Sequence, residues 1–178
     1  MIRLLLIALL LVGCSQDLSP YRDWQPPMSL ETFFDGEVMA YGMVTDRSGE
    51  VMRRFRVRID GRWDGAQGTL DEYFFYADGD TQFRQWRIER LEDGSYRGRA
   101  DDIIGVAQGR VGGAVLHWIY DMELSTDSGN WQVSFDDTMV MIDANHMLNR
   151  AKIKKFGITV AEVFLSFEKK APPSATDF

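Results

Sequence analysis

From Phe33 to Phe167 apolar and polar residues alternate, and turn residues break the alternation about every eight to twelve positions. Period two is the signature of a strand with one buried face, and that spacing of turns is the signature of a sandwich or barrel. Ten segments emerge: Glu37–Thr45, Met52–Trp63, Thr69–Tyr76, Gln82–Leu91, Tyr96–Asp101, Val106–Val111, Ala114–Leu124, Trp131–Ile142, Leu148–Lys155 and Thr159–Phe167. The connections DRSGE, DGAQG, ADGD, EDG, GG and TDSGN are too short for crossover helices, so sequential strands pair antiparallel. The expected fold is all-β: an up-and-down antiparallel barrel of about eight to ten strands, closing on itself to remove its edges. Ser29 is placed to cap a single helical turn over SLETFF, which would close one end of the barrel. At this strand number the lumen is either filled by side chains or holds one small ligand.

The alternation assigns faces. Leu116, Trp118, Tyr120, Met122 and Leu124 share the inward face of one strand, and His117, Asp121 and Glu123 point out. Two adjacent carboxylates interrupt VSFDDTMVM. Asp137 lies on the face of Trp131, Val133, Phe135, Met139 and Met141 and is expected inside, with Asp136 outside. A two-residue Gly112-Gly113 turn would pair Gly109 with Leu116 and Ala107 with Trp118, small against large. Either this packing fills the lumen or the glycines leave room for a ligand. Keeping Trp131 opposite Leu124 sets Asp137 opposite Trp118. In the next strand Asn149, Ala151 and Ile153 look inward, and a five-residue loop would put Asp136 opposite an outward Lys154. A buried carboxylate needs donors. The Trp118 indole, the Tyr120 hydroxyl and Arg84, which shares a face with Trp86 and Ile88, are the candidates. The candidate ligand-binding set is Trp118, Tyr120, Asp137, Met139, Asn149, Arg84 and Trp86. Such a set reads equally as a satisfied polar network in an ordinary core. These registers assume no β-bulge.

The N-terminal MIRLLLIALLLVGC reads as a signal peptide over residues 1–13, too short to span a bilayer. LVGC fits a bacterial lipobox, making Cys14, the only cysteine, the lipidation site. Two or more acyl chains give a stable anchor. Ser15 rather than Asp follows it, which leads to the expectation of the periplasmic face of the outer membrane. Residues 14–28 read as a lipidated tether, a loose coil of roughly 20 Å root-mean-square reach. Residues 29–169 read as the barrel domain and 170–178 as a disordered tail. The formal net charge is −7, an unsuitable balance for nucleic acid.

Recognisable catalytic patterns are missing: there is no G-x-S-x-G, no phosphate-cradling glycine loop and no H-E-x-x-H. His117 and His146 fall on an outward face and in a turn, so no metal site, cofactor or catalytic residue is assigned. ADDIIG reads as a polar turn rather than a calcium site. In RRFRVR, Arg54, Arg56 and Arg58 share one face, a solvated one or a contact for lipid headgroups.

Taken together, FFDG, ADDIIG, LHWIY, FDDTM and NRAKIKKFG resemble a proteobacterial family of small putative lipoproteins known only as a domain of unknown function. The resemblance covers roughly Leu30 to Phe167. It implies a role in fatty-acyl or envelope-lipid handling and supplies no catalytic residues. The architecture is also similar to the calycin barrels, lipocalins and their relatives, although GRW at Gly61–Trp63 ends the second strand rather than opening the first. The expected function is binding or carriage of a small hydrophobic, fatty-acyl or lipid-like ligand. The alternatives are a packed-lumen interaction protein and, third, a lipid-acting enzyme using Asp137 as general acid or base. Oligomeric state is left open.

Overall fold

The computed structural model describes residues 16–126 and 129–170. The signal segment, Cys14 and residues 171–178 of the expected tail lie outside the described residues. Ten strands follow one another: β1 (Gly36–Asp46), β2 (Val51–Asp64), β3 (Gln67–Tyr76), β4 (Thr81–Arg90), β5 (Tyr96–Arg99), β6 (Ile103–Gly112), β7 (Val115–Thr126), β8 (Gly129–Met141), β9 (His146–Lys155) and β10 (Ile158–Lys169). Each pairs antiparallel with its sequence neighbours, and β1 closes on β10. All ten expected strands form.

The expected helical turn is α1 (Leu30–Phe33). Ser29 caps it, its hydroxyl accepting from the Thr32 N–H at 3.1 Å. Leu30, Phe33 and Phe34 are buried, and Phe34 packs edge-on against Phe167 of β10. A Cβ at Gly61 would lie 1.6 Å from the Phe34 carbonyl, so β2 needs glycine where the plug crosses it. The Tyr96 hydroxyl fastens the plug, donating to Glu31 Oε2 at 2.5 Å and accepting from the Leu30 N–H at 3.3 Å. The barrel thus has a closed end, where β1, β3, β5, β7 and β9 begin, and an opposite mouth.

Two registers differ from expectation. Gly109 pairs with Trp118 and Val111 with Leu116, because the turn residues are Gly113 and Ala114 and Gly112 belongs to the strand. Gly113 takes φ +54°, a conformation suited to glycine. In the backbone register Asp136 sits opposite Lys152 rather than Lys154, because the β8–β9 turn is centred one residue earlier than expected, although the side chains of Asp136 and Lys154 still form the expected ion pair. Both slips move the partner by two residues, so every face assignment survives. The pairing of Trp118 with Asp137 and of Leu124 with Trp131 is as expected. A bulge does interrupt β6 between Ile104 and Gln108.

Residues 16–28 depart from the loose coil. The Met28 N–H donates to the Gly113 carbonyl at 2.8 Å and Arg110 donates to the Gln16 carbonyl at 2.9 Å. A short 3-10 turn, Ser19–Tyr21, lies between them. Gly112 and Gly113 permit this contact: a Cβ on either would strike the backbone of Leu18 or Tyr21. The segment therefore runs over the β6–β7 turn at the closed end.

A candidate ligand-binding lumen

The lumen is hollow. A cavity of about 320 Å³ lies inside the barrel, within the range of small-molecule sites. Its walls are mostly apolar: Val57, Ile59, Leu70, Leu116, Met122, Ile153, Val163 and Leu165, with Leu30 and Phe34 of the plug beneath. Phe55, Tyr76, Gln82, Leu124 and Arg53 stand toward the mouth. Arg53 is held there over the Tyr76 ring, 3.6 Å from its centroid, while its Nε donates to Asp78 at 2.7 Å.

All seven expected ligand-contacting residues, Arg84, Trp86, Trp118, Tyr120, Asp137, Met139 and Asn149, line this one cavity. Trp118 lies in a trough made by two glycines. A Cβ at Gly98 or Gly109 would approach its ring to 2.5 or 2.4 Å. Four rings run in sequence across the wall: Trp118 is edge-on to Trp86 at 5.8 Å, Trp86 is edge-on to Tyr120 at 5.5 Å, and Tyr120 stacks on Phe135 at 4.9 Å.

Asp137 points inward and is only 4 % exposed. The donors expected for it do not serve it. Its one hydrogen bond comes from Asn149 Nδ2, long at 3.4 Å, and Oδ1 has no partner. Arg84 is engaged elsewhere, its Nε and Nη2 on Asp102 at 2.8 Å and its Nη1 3.9 Å from Glu72. ADDIIG thus contributes Asp102 as a partner for Arg84. Burial pushes the Asp137 carboxyl up to about 8, adjacent Asp136 adding to the rise and Asn149 and Arg84 only partly opposing it.

Glu72 was missed by the sequence reading. It shares the inward face of β3 with Leu70 and Phe74, so the alternation carried the signal. Burial lifts its carboxyl to about 7, against the pull of Arg84 and Trp86 and with a further push from Asp102. Its side chain keeps 14 % of its surface, and it lines the lumen. Phe55 and Phe135 are further lining residues outside the expected set.

Among the described residues, the buried polar side-chain atoms without a partner are Trp63 Nε1 and four oxygens, on Glu72, Asp102, Asp137 and Asn149. Glu72, Asp137 and Asn149 line the lumen. A buried acceptor left unpaired costs about 1–3 kcal/mol. Three in one cavity form a polar region built for something that donates. The lining contains no Ser, Thr, Cys, His or Lys among the described residues; its titratable groups are Arg53, Glu72, Tyr76, Arg84, Tyr120 and Asp137.

Outside the wall, Asp136 accepts from His117 at 2.8 Å and pairs with Lys154. Burial alone would raise its carboxyl, but these two partners hold it below the usual value. His117 faces outward as expected yet is buried, 7 % exposed. Gln16 lies next to it, bonding Arg110 and Thr138, the two residues that flank His117 across the sheet. Arg54, Arg56 and Arg58 point outward, the last two over the rings of Phe75 and Tyr73.

Over residues 8–169 the sequence matches DUF3833, a family described as a protein of unknown function, and the chain belongs to that family. No curated protein matches it. Among solved structures it is similar to lobster apocrustacyanin A1, with 15 % identity and a TM-score of 0.38 over 80 % of this chain and 64 % of that one. Apocrustacyanin C2 matches at 15 % and 0.38 over 82 % and 65 %, and apocrustacyanin C1 at 16 % and 0.43 over 91 % and 73 %. The chain thus spans just under two thirds of the first two. At these scores no functional argument rests on the likeness.

Proposed function

We propose that this member of the DUF3833 family is a carrier that holds one small, largely apolar ligand inside its barrel. The observation that carries the reading is the hollow, aromatic-walled lumen with three unpaired buried acceptors in it. A protein core that served only packing would fill such a space or pair such atoms. The plug seals one end, so the ligand enters by the mouth between the β3–β4 and β7–β8 turns. With Cys14 lipidated, the protein sits on the periplasmic face of the outer membrane. The docked segment 16–28 would then hold the closed end of the barrel near the anchor and leave the mouth free.

The test is native mass spectrometry of the Cys14→Ser chain purified from a bacterial envelope without detergent. A bound species that leaves on denaturation, with an aliphatic portion by lipid analysis, is the expected result. A clean apo mass that stays unchanged after incubation with long-chain alcohols, amines, fatty acids and phospholipids would remove the carrier reading.

A second reading is favoured by one observation. Tyr41, Met43 and Leu148 are exposed on the outer wall around Phe164, bordered by Arg54 and Arg150. An apolar patch of this kind suits an interaction protein. Loss of a cross-link to an envelope protein in a Tyr41→Ser, Leu148→Ser chain that still carries Cys14 and still binds ligand would support a contact role beside the carrier role.

A further inference from the structure

We infer that the lumen takes a primary amine: an alkyl chain ending in an ammonium group that binds between Asp137, Asn149 and Glu72 and against the faces of the surrounding rings. The inference rests on the lumen being a ligand site and adds the chemistry of the ligand's polar end.

Three observations converge. First, the lumen atoms without a hydrogen-bond partner are all oxygens, Asp137 Oδ1, Asn149 Oδ1 and Glu72 Oε2, the last 3.9 Å from Arg84 Nη1. Once the two carboxyls are charged, a ligand carboxylate or phosphate would set acceptor against acceptor, whereas an ammonium brings three donors and no acceptor. Second, the buried charges do not balance. Among the described residues Arg84 is the one cation deep in the wall, and its guanidinium is taken by Asp102, with Glu72 close by and the Met122 sulfur 3.8 Å away. Asp137 is left with no cation of its own, and Arg53 is held outward on Asp78 and Asp80. Third, Trp86, Trp118, Tyr120 and Phe135 form a continuous aromatic wall beside these carboxyls. Aromatic faces attract a cation, more strongly when water is excluded. The rings alone would suit a quaternary ammonium. The unpaired acceptors favour a cation that still carries N–H bonds.

Binding an ammonium requires the carboxyls to be charged. Asp137 is faced by Asn149 from β9, Trp118 and Tyr120 from β7 and Arg84 from β4, with Asp136 adjacent on its own strand but turned to the outer face. Glu72 is faced by Arg84 and Trp86 from β4 and by Asp102. With Asp137 at about 8 and Glu72 at about 7, apparent affinity for an amine should climb with pH. The climb is about tenfold per unit between pH 7 and 8, steeper below pH 7 where Glu72 must ionise as well, and levels off above pH 8, while the amine stays protonated to about pH 10.

The experiment titrates the full chain carrying Cys14→Ser with decylamine, decyltrimethylammonium, decanol and decanoate, following quenching of tryptophan fluorescence and heat of binding at pH 6, 7, 8 and 9. Decylamine is expected to bind at least tenfold tighter than the other three at pH 8, and to tighten from pH 6 to 8. Asp137→Asn should remove most of the preference for decylamine over decanol and the rise in decylamine affinity between pH 7 and 8, with an unchanged circular-dichroism spectrum and cooperative unfolding showing that the variant is folded. Decanoate binding as tightly as decylamine, or a decylamine affinity that is flat or falls with rising pH, overturns the inference and leaves the carrier reading standing. Failure of all four to bind removes both.

Discussion

Asp137→Asn should make the unliganded protein more stable at alkaline pH and leave it nearly unchanged in acid. In the unfolded chain Asp137 titrates near 3.8, whereas in the folded chain burial holds its proton up to about 8. Between those values the folded state binds one more proton than the unfolded state, so stability falls as pH rises. The contribution is intact below pH 3.8, is lost progressively through the interval and is gone above 8. The whole loss corresponds to about 6 kcal/mol at 1.36 kcal/mol per pH unit, of which about 4 kcal/mol falls between pH 5 and pH 8. Water entering by the mouth lessens the penalty, and about half is a fair lower figure. Asn has the shape of the protonated acid and no charge to desolvate. Urea denaturation of both proteins at pH 5 and pH 8.5 reads the difference. The variant's advantage should grow by about 2–4 kcal/mol between the two, with Glu72 cancelling because both proteins carry it. An advantage that stays constant within about 0.5 kcal/mol would refute a buried, unpaired Asp137.

Other perturbations reach the frame around the lumen. Gly109→Ala puts a methyl 2.4 Å from the Trp118 ring and should cost about 1–3 kcal/mol by overpacking, read as a drop in Tm, with weaker ligand binding as Trp118 is driven into the cavity. Gly61→Ala should unseat the plug, because its Cβ meets the Phe34 carbonyl at 1.6 Å; limited proteolysis should then cut between residues 28 and 35, where the parent resists. Ser29→Ala removes the cap on α1 and should cost about 1 kcal/mol in urea denaturation without altering ligand affinity. Cys14→Ser should shift the protein from the membrane fraction to the soluble fraction on cell fractionation, and retention in the membrane fraction would remove lipidation as the anchor.

The alternation of side chains carried most of this fold, because a strand's period is insensitive to detail. Each inward assignment from Leu116 to Leu124 and from Val133 to Met141 holds even where a turn is misplaced, since a slip of two residues returns a strand to the same face. The helical turn was legible because Ser29 and the residues after it satisfy a local rule. What the sequence withheld is what depends on packing across the barrel. Whether the glycines opposite Trp118 leave space is a question of volume: Gly98 and Gly109 are used up by the ring, and the cavity lies on its other side. The donors of Asp137 could not be read from register, because Arg84 is drawn to Asp102, eighteen residues on and outside the paired strands. Segment 16–28 looked like coil because its polar, proline-rich composition hides its partners, the Gly113 carbonyl and the side chains of Arg110 and Thr138. Glu72 was overlooked although its strand alternates plainly, as one charged residue among inward apolar ones.

The most direct test of the account is a crystal structure of the Cys14→Ser chain grown with 10-bromodecylamine, using anomalous scattering to locate the bromine. The account predicts a single strong peak inside the barrel toward the mouth, near Phe55 and Leu124, with density for the amine end beside Asp137 and Asn149. Bromine found only on the outer wall near Tyr41 and Leu148, with the lumen empty or filled by ordered water, would contradict it.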